Sequence, residues 1–554
     1  MRNLWLDWLG KGLGLVTLVG ASSSARASEI DLLSAEDEQH YRAAFIAADS
    51  GDIVALKNEI ATIRDPVLMG HVFGQFYLSP NDRATYPEFA QWLAAFADHP
   101  QATRIYQIAL SRRGAEDPAP TAPIAVSPPK GRPARPPQPP ASTAADREAL
   151  AAVSTAFFNG DDLAAFQGAD ALLDGPMRQQ AAWYAGLAAW RYGDADSAGA
   201  AFELAATAPA ASIWDSAAAA YWAARANLKT GYYQRVTPFL ERAAAYPFTL
   251  YGALAERQLG RASTIFGDNR QLSFEEGASL LTLHASARRS AALVELGRMS
   301  DARMELRRLH GEVGADQLDI YRRFVAALQL PDMELRVAEL GGPDLAAAQA
   351  PHVPWEPADG FRLDKAMIFG LMRQESRYDP QARSSAPAYG LMQLLPSTAA
   401  WITGETELKE QPALLYDPAI NMRAGQIYLE YLLTEVDPDG SLLKIFASYN
   451  AGPNRVKRWT AEGGDSDDPL LYIETIPIKE TRDYVKRVFA NMVFYRARFG
   501  QNDAALSALA AGNMPTYNAE DAQVFVSDDG HADRRLLSHN AQDSASSIST
   551  KVSR

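Results

Sequence analysis

The sequence predicts an all-α protein in which a long array of paired helices precedes a smaller helical domain. Apolar residues recur at helical spacing from Tyr41 to Arg113 and again over residues 146–345, with short breaks between them. A motif of small and aromatic residues occurs twice in the second region, and a further apolar helical stripe follows Asp364. A chain of 554 residues is also long enough for more than one domain.

The first 27 residues have the composition of a secretory signal. Basic Arg2 and Lys11 precede the apolar run Leu13–Ala21, and Ala25-Arg26-Ala27 fits a cleavage site. The run is shorter than the about 20 apolar residues that cross a bilayer, although a membrane-anchoring helix is the alternative. We therefore expect an exported, periplasmic protein that is cleaved near Ala27 and is then soluble. Because the chain has no cysteine, we expect no disulfides.

Charge argues against nucleic acid as a partner. The net charge is −14; residues 28–360 carry 29 basic and 41 acidic side chains, and residues 361–500 carry 17 and 18. A phosphate-binding groove needs a basic surface, and neither region offers that excess.

Helix pairs, a proline-rich segment and further helix pairs follow the signal. Residues 28–114 alternate apolar helices with breaks such as Ser50-Gly51-Asp52, which predicts the first part of a superhelix. Residues 115–142 hold ten of the 33 prolines, which excludes regular helix and predicts a solvated linker or extended insertion. Residues 143–354 are expected to continue the superhelix.

The repeated motif in this second region resembles that of tetratricopeptide repeats. Its first copy contains Trp183, Gly186, Trp190 and Phe202, and its second copy begins at Tyr221-Trp222. Such aromatic residues are more typical of a packed core than of a ligand site. Residues 501–554 turn polar and are predicted to be a disordered tail.

A carboxylate on an apolar stripe is the candidate for chemistry. Asp364 is a plausible N-cap for a helix on which Ile368, Leu371, Met372 and Glu375 share one face. Without a local cation, a buried Glu375 would have a raised pKa, which suits a general acid. Taken alone, a buried glutamate with a structural role is the more frequent case.

Four motifs follow Glu375 in order: Gly390-Leu391-Met392-Gln393, Ala447-Ser448-Tyr449-Asn450-Ala451-Gly452-Pro453, Glu474-Thr475-Ile476-Pro477 and Glu480-Thr481-Arg482-Asp483-Tyr484-Val485. Gly390 permits positive φ or close backbone approach, and the Gln393 amide suits sugar hydroxyls. Tyr449 closes an apolar stripe at a helix end. Glu480 and Arg482 are equally compatible with a structural ion pair.

With these motifs in this order, the sequence resembles the soluble lytic transglycosylases. The resemblance implies a lysozyme-like, goose-type α-helical catalytic domain over residues 355–500, preceded by an α-superhelix. It implies that Glu375 is the catalytic acid/base and that the substrate groove contains these residues: Ser376, Gly390, Met392, Gln393, Tyr449, Asn450, Glu480 and Tyr484. One departure is Pro387-Ala388-Tyr389-Gly390, where the family has Gly-Ala-x-Gly.

The implied substrate is the glycan strand of peptidoglycan, cleaved between N-acetylmuramic acid and N-acetylglucosamine. A conventional glycosidase needs two carboxylates, but Asp379 precedes Pro380 and is better placed to cap a turn. The resemblance implies instead that Glu375 acts first as acid and then as base, giving a 1,6-anhydro product. A lysozyme-like hydrolase and a catalytically silent scaffold are the alternatives. We expect no metal and no cofactor.

Overall fold

The computed structural model describes residues 30, 32–79, 84–125, 140–210, 212–261, 270–339, 349–461 and 467–518. Within these ranges the chain is helical and has no β-strand, which confirms the all-α prediction. The predicted signal segment, the central prolines of the linker (126–139) and the last part of the tail (519–554) lie outside the described residues. No helix in the described ranges is both long and apolar enough to cross a lipid bilayer.

The first group of helices comprises α1 (Ala35–Ser50), α2 (Ile53–Thr62), α3 (Met69–Tyr77), α4 (Tyr86–Ala95) and α5 (Ala102–Arg112). The predicted break after α1 joins two helix ends. Gly51 ends α1 with φ 72°, and the Asp52 carboxylate then accepts the N–H groups of Val54 and Ala55 at 3.0 Å to start α2.

The second group comprises α6 (Ala144–Phe158), α7 (Asp162–Asp170), α8 (Arg178–Tyr192), α9 (Ala195–Thr207), α10 (Ile213–Thr230), α11 (Tyr233–Ala244) and α12 (Leu250–Gln258). Gly186 allows α8 and α9 to pack closely, because a Cβ there would lie 2.5 Å from the Phe202 ring. The rings of Phe202 and Trp222 are 5.3 Å apart, and both residues are fully buried. The prediction that the aromatic motif forms core is confirmed for these two residues.

The third group comprises α13 (Phe274–Leu283), α14 (Ala285–Glu295), α15 (Met299–Glu312), α16 (Leu318–Ala327) and α17 (Pro331–Ala338). These helices share one hydrophobic core with α1–α5 rather than extending the second group. The Glu295 carboxylate accepts the N–H groups of Leu32 and Leu33 at 2.6 and 2.8 Å, which links the two groups. After the second group the chain therefore returns to its first helices, and the superhelix bounds of 143–354 stay a prediction.

The described start of the proline-rich segment packs against these two groups. The N–H of Ile124 donates to the carbonyl of Ala97 at 2.8 Å, and Arg308 donates to the carbonyl of Ile124 at 3.2 Å. Pro120 is buried. This part of the predicted linker or extended insertion is therefore attached to the two groups at Ile124, while most of its side chains are exposed.

The last group comprises α18 (Lys365–Glu375), α19 (Pro396–Thr403), α20 (Glu407–Glu410), α21 (Pro418–Tyr431), α22 (Leu442–Ala451), α23 (Pro453–Trp459), α24 (Pro469–Thr475), α25 (Lys479–Arg498) and α26 (Ala504–Ala510). Helix α18 starts at Asp364, whose carboxylate accepts the N–H of Ala366 at 2.9 Å, as predicted. The same carboxylate pairs with Arg496 of α25 at 3.2 Å, and both side chains are fully buried.

The second and last groups share one hydrophobic core and several polar contacts. The carboxylate of Asp468 accepts from the Trp190 indole at 3.1 Å and from Arg225 at 3.0 Å. The Tyr251 hydroxyl donates to Glu474 at 2.6 Å. The helices of the second group are therefore in direct contact with the group of helices that carries Glu375.

The segment predicted as a disordered tail contains a helix. Residues 504–510 form α26, where Leu506 and Leu509 are buried. Farther on, the N–H of Tyr517 donates to the carbonyl of Gly440 at 2.7 Å. The prediction is wrong for residues 504–518, because the apolar side chains in this polar stretch are sufficient to dock it on the domain.

Helix α18 approaches α25 at backbone distance at Gly370. A Cβ at this position would lie 2.7 Å from the backbone nitrogen of Met492, and the Asn491 amide donates to the Gly370 carbonyl at 3.1 Å. We predict that Gly370→Ala lowers the melting temperature, with a loss of about 1–3 kcal/mol from overpacking. Gly199→Ala is the matched control, since its Cβ has 3.4 Å to its nearest neighbour and alanine favours helix. Equal melting temperatures for the two variants would contradict the prediction.

Candidate active site

Glu375 is the last residue of α18 and faces a tyrosine on α25. The Tyr484 hydroxyl donates to Glu375 Oε1 at 2.5 Å. Ile368, Leu371 and Met372, the other members of the predicted stripe, are fully buried. The prediction that Glu375 shares the inward face of its helix is confirmed.

The pKa of Glu375 is raised to about 7. Burial is the main cause, the hydrogen bond from Tyr484 acts in the opposite direction, and the charge of Glu480 adds to the increase. The nearby arginines have other partners: Arg373 lies over the Phe494 ring at 5.6 Å, and Arg377 pairs with Glu339. No cation contributes to the shift in the pKa of Glu375, as the raised pKa requires.

The turn after Glu375 has an unusual backbone. Arg377 and Tyr378 have φ values of 55° and 64°, a region that residues with a Cβ rarely occupy. Ser376 stabilises the turn, since its hydroxyl donates to the Met372 carbonyl at 3.2 Å and accepts the Tyr378 N–H at 3.1 Å. Tyr378 is fully buried and its hydroxyl lies 2.6 Å from that of Tyr495. Ser376, predicted as a groove residue, is thus engaged with the backbone.

Gly390 is in a position that only glycine can occupy. Its φ is 74°, and a Cβ would lie 2.2 Å from the Leu415 carbonyl oxygen and 2.4 Å from Asn421 Nδ2. The prediction of positive φ with close backbone approach is confirmed. Asn421 is fully buried and organises the loop, donating to the carbonyls of Tyr389 and Leu415 at 2.9 Å.

Met392 and Gln393 have different orientations. Met392 is fully buried with its sulfur against Gly425, so its side chain is core and not groove surface. Gln393 has φ 46° and is partly exposed. Its amide nitrogen donates to the carbonyls of Ala382 and Gly390 at 3.1 and 2.9 Å, which leaves Oε1 as its side-chain acceptor.

Two tyrosines lie beside Glu375. Tyr449, at the end of α22, donates to the Met392 carbonyl at 2.9 Å. Burial raises the pKa of both Tyr449 and Tyr484, and the charge of Glu375 raises each further. Both hydroxyls therefore remain protonated donors at neutral pH, and the prediction that the Tyr449 hydroxyl lies near the site is confirmed.

The start of α25 joins the end of α22. The Thr481 hydroxyl donates to Asn450 Oδ1 at 2.6 Å. Glu480 is exposed, whereas Arg482 donates to the Ile476 carbonyl at 2.5 Å. The ion pair considered for Glu480 and Arg482 is absent among the described contacts, so Glu480 is left facing solvent near Glu375.

The departure from the family pattern at Pro387 lies in an exposed turn. The N–H of Ser384 donates to the Ala388 carbonyl at 3.1 Å, and the N–H of Gly390 donates to the Ala382 carbonyl at 2.9 Å. Pro387 lies at the tip, between these hydrogen bonds, where the missing N–H has no structural cost. The loop therefore still presents Gly390 and Gln393.

Comparison with known families agrees with this arrangement. The family model "Transglycosylase SLT domain" matches residues 354–471, which contain Glu375 and the Gly390 loop. We call this region the SLT domain, after the model that it matches. A second model, "Soluble lytic transglycosylase helical domain", matches residues 475–503, which include α25 and Tyr484.

Curated relatives of the SLT domain are lytic transglycosylases. The soluble lytic murein transglycosylase of Salmonella typhimurium is 35% identical over 152 residues, covering 27% of this chain and 23% of the relative. That of Escherichia coli K12 is 34% identical over 157 residues, covering 28% and 24%. The matches thus span about a quarter of the length of these relatives.

Solved structures extend the likeness in fold beyond the SLT domain. The 70 kDa soluble lytic transglycosylase of Escherichia coli aligns with a TM-score of 0.57 and 16% identity, covering 87% of this chain and 99% of that chain. An inactive mutant of the lytic transglycosylase Slt of Pseudomonas aeruginosa aligns with a TM-score of 0.50 and 20% identity, covering 88% and 75%. The predicted fold class, a helical array followed by a lysozyme-like domain, is confirmed.

One group among the described residues brings three possible metal ligands together, and it lies outside the SLT domain. Ligand atoms of His71, His99 and Glu305 are within 4.8 Å of one another. Both Glu305 oxygens also accept from Arg289, at 2.7 and 3.0 Å, and His71 lies 2.8 Å from the same carboxylate. A guanidinium that occupies both oxygens opposes a cation, so we interpret the group as a buried structural network.

Several residues that organise the site were not predicted from the sequence. Asn421 and Thr481 hold the loop and helix ends by hydrogen bonds, and Arg496 balances the N-cap of α18. Asn421 did have a signal, since it lies on the same helical face as Ala424 and Gly425. Thr481 belongs to one of the four motifs, but its contact with Asn450 did not follow from the motif, and Arg496 had no signal, because the partners of both residues are distant in sequence.

The raised pKa of Glu375 makes the stability of the protein depend on pH. The pKa of this carboxyl is about 7 in the folded state and has an ordinary value of 4.5. Between pH 4.5 and pH 7, the folded protein therefore holds a proton that the unfolded chain has lost. Stability therefore falls as pH rises from 4.5 to 7, by up to about 3 kcal/mol. We predict that Glu375→Gln raises the melting temperature relative to the unmodified chain at pH 8 and not at pH 4. The same difference at both pH values would contradict this.

Proposed function

We propose that this protein is a peptidoglycan lytic transglycosylase in which Glu375 is the catalytic acid/base. The observation that carries the proposal is a carboxyl with a pKa of about 7, which lies in the region that matches the SLT model and accepts a hydrogen bond from Tyr484 of α25. A carboxyl that is partly protonated at neutral pH can both donate and accept a proton. Its relatives are named for the same activity.

In the proposed reaction Glu375 first donates its proton to the glycosidic oxygen between N-acetylmuramic acid and N-acetylglucosamine. The C1–O bond breaks and the N-acetylglucosamine unit leaves with a hydroxyl. The Glu375 carboxylate then takes the proton from the C6 hydroxyl of the muramic acid as that oxygen bonds to C1. The product carries a 1,6-anhydro ring, and the enzyme regains its starting protonation state.

The surrounding residues support this use of one carboxyl. Asp379, the nearest acid in sequence, accepts the N–H of Gln381 at 2.9 Å and so serves the turn. Tyr484 stabilises the carboxylate formed after the first step, because its hydrogen bond favours the charged form. Gln393 Oε1, the Asn450 amide and the Glu480 carboxylate are the groups that we assign to sugar hydroxyls in the groove. Gly390 shapes the loop that bears Gln393.

We also propose that residues 1–27 direct export and that the mature protein acts in the periplasm. The apolar run Leu13–Ala21 and the Ala25-Arg26-Ala27 site support this. Peptidoglycan strands are found in that compartment, so the substrate and the export signal agree.

Product mass tests the reaction class and the catalytic residue together. Protein purified from the periplasm, with an N-terminus expected at Ser28, is incubated with purified sacculi. The unmodified chain should release muropeptides lighter by one water than hydrolysis products, and Glu375→Gln should release almost none while still binding sacculi. Products with only reducing-end muramic acid would instead establish the hydrolase. Unchanged release by Glu375→Gln would exclude this residue, and no release by either protein would favour a binding scaffold.

Tyr484→Phe tests the pKa argument. Loss of the hydroxyl removes a hydrogen bond that lowers the pKa of Glu375, so that pKa should rise above about 7. The protonated acid then persists to higher pH, and the alkaline limb of the pH–rate profile should move to higher pH as the maximal rate falls. Tyr192→Phe, at an exposed tyrosine on α8, is the control. An alkaline limb that stays in place or moves to lower pH would contradict the assignment.

A further inference from the structure

A row of aromatic side chains leads from Glu375 to the surface of the SLT domain. The pKa of Tyr449 is raised by burial and then by the charge of Glu375, and its ring packs 5.3 Å from that of Tyr428. Tyr428 is nearly parallel to Tyr431, with ring centres 6.2 Å apart, and Tyr431 meets Trp401 edge to face at 5.0 Å. The row therefore has a catalytic end and an outer end.

Trp401 is the outer end of the row and is 59% exposed. Single exposed aromatic residues are ordinary on protein surfaces, so exposure alone carries no inference. Trp401 differs in being the last member of a continuous series, every other ring of which is partly exposed and packed on the next. The indole of a tryptophan presents a large flat surface and has few rotatable bonds.

The helix under Trp401 is anchored at both its core face and its end. Helix α19 buries Ala399 against the core and ends at Gly404, which has φ 77°. Directly after that end, the Glu405 carboxylate pairs with Arg423 at 2.6 Å. Arg423 is on α21, the same helix that carries Tyr428 and Tyr431. The helix that carries the indole is thus linked to the helix that carries two of the tyrosines.

The chemistry of this surface fits a neutral sugar ring. Pyranose rings have an apolar C–H face, and flat aromatic side chains bind such faces with little loss of conformational entropy. Glu405, the charged residue nearest to Trp401 in the sequence, is paired with Arg423.

We propose that Trp401, supported by Tyr431, is an outer subsite that stacks an N-acetylhexosamine of the glycan strand several sugars away from the bond at Glu375. The inference rests on the proposed function, since that function defines the groove. A glycan strand must then be longer than the two sugars at the scissile bond to reach Trp401. The protein should then distinguish long strands from short ones.

The test measures binding of peptide-free glycan strands by isothermal titration calorimetry. Glu375→Gln serves as the background so that no turnover occurs, and the probes are a disaccharide and an octasaccharide of alternating N-acetylglucosamine and N-acetylmuramic acid. Adding Trp401→Ala should weaken octasaccharide binding about tenfold, which is typical of truncating a stacking aromatic residue, and leave disaccharide binding unchanged. Trp401→Phe should recover part of the affinity.

Controls separate stacking from damage to the fold and from failure of the proposed function. Tyr192→Ala removes a 78% exposed aromatic side chain from α8 and should change neither affinity, and Trp401→Ala should keep its melting temperature. Equal octasaccharide affinity with and without the indole, equal losses for both probes, or no octasaccharide binding would each overturn the subsite. If Trp401→Ala weakens the binding of the octasaccharide alone, but the unmodified protein yields no anhydro product, the subsite is supported and the proposed reaction is rejected.

Discussion

The contact between α18 and α25 at Gly370 is the constraint on which the site depends. Because the glycine has no side chain, the two helices approach until the position of a Cβ would be 2.7 Å from the backbone of Met492. This approach brings Glu375, at the end of one helix, within 2.5 Å of Tyr484 on the other. It also removes much of the carboxyl from water, and this desolvation is the main cause of its raised pKa. The buried pair of Asp364 and Arg496 stabilises the same two helices at the opposite end of α18.

The backbone after Glu375 is costly, and its neighbours compensate for it. Two successive residues with positive φ, Arg377 and Tyr378, each require of the order of 1 kcal/mol or more. The Ser376 hydroxyl and the buried hydroxyl pair of Tyr378 and Tyr495 stabilise the turn. The result is a helix that stops abruptly, which leaves the carboxyl of its last residue at the site and not inside a continuing helix.

The sequence alone was sufficient to predict features that depend on local spacing. The N-cap at Asp364, the inward face of Glu375 and the positive φ of Gly390 follow from residue types a few positions apart. Residues that act through distant partners were not predictable in this way. Met392 belongs to a groove motif, yet its side chain fills the space beside Gly425, and that neighbour is invisible until the fold is known. The docking of α26 likewise depends on a surface made by other helices.

The shared core of the first and third groups of helices has a consequence for how the chain folds. Helices α1–α5 and α13–α17 enclose one apolar core, although the complete second group lies between them in sequence. During synthesis the first helices emerge long before the partners that cover their apolar faces, whereas the second group can pack as its own helices appear. That core can close only after the more than 150 residues between Arg112 and Phe274 have been synthesised. The formation of contacts distant in sequence therefore limits the folding rate of the first and third groups of helices.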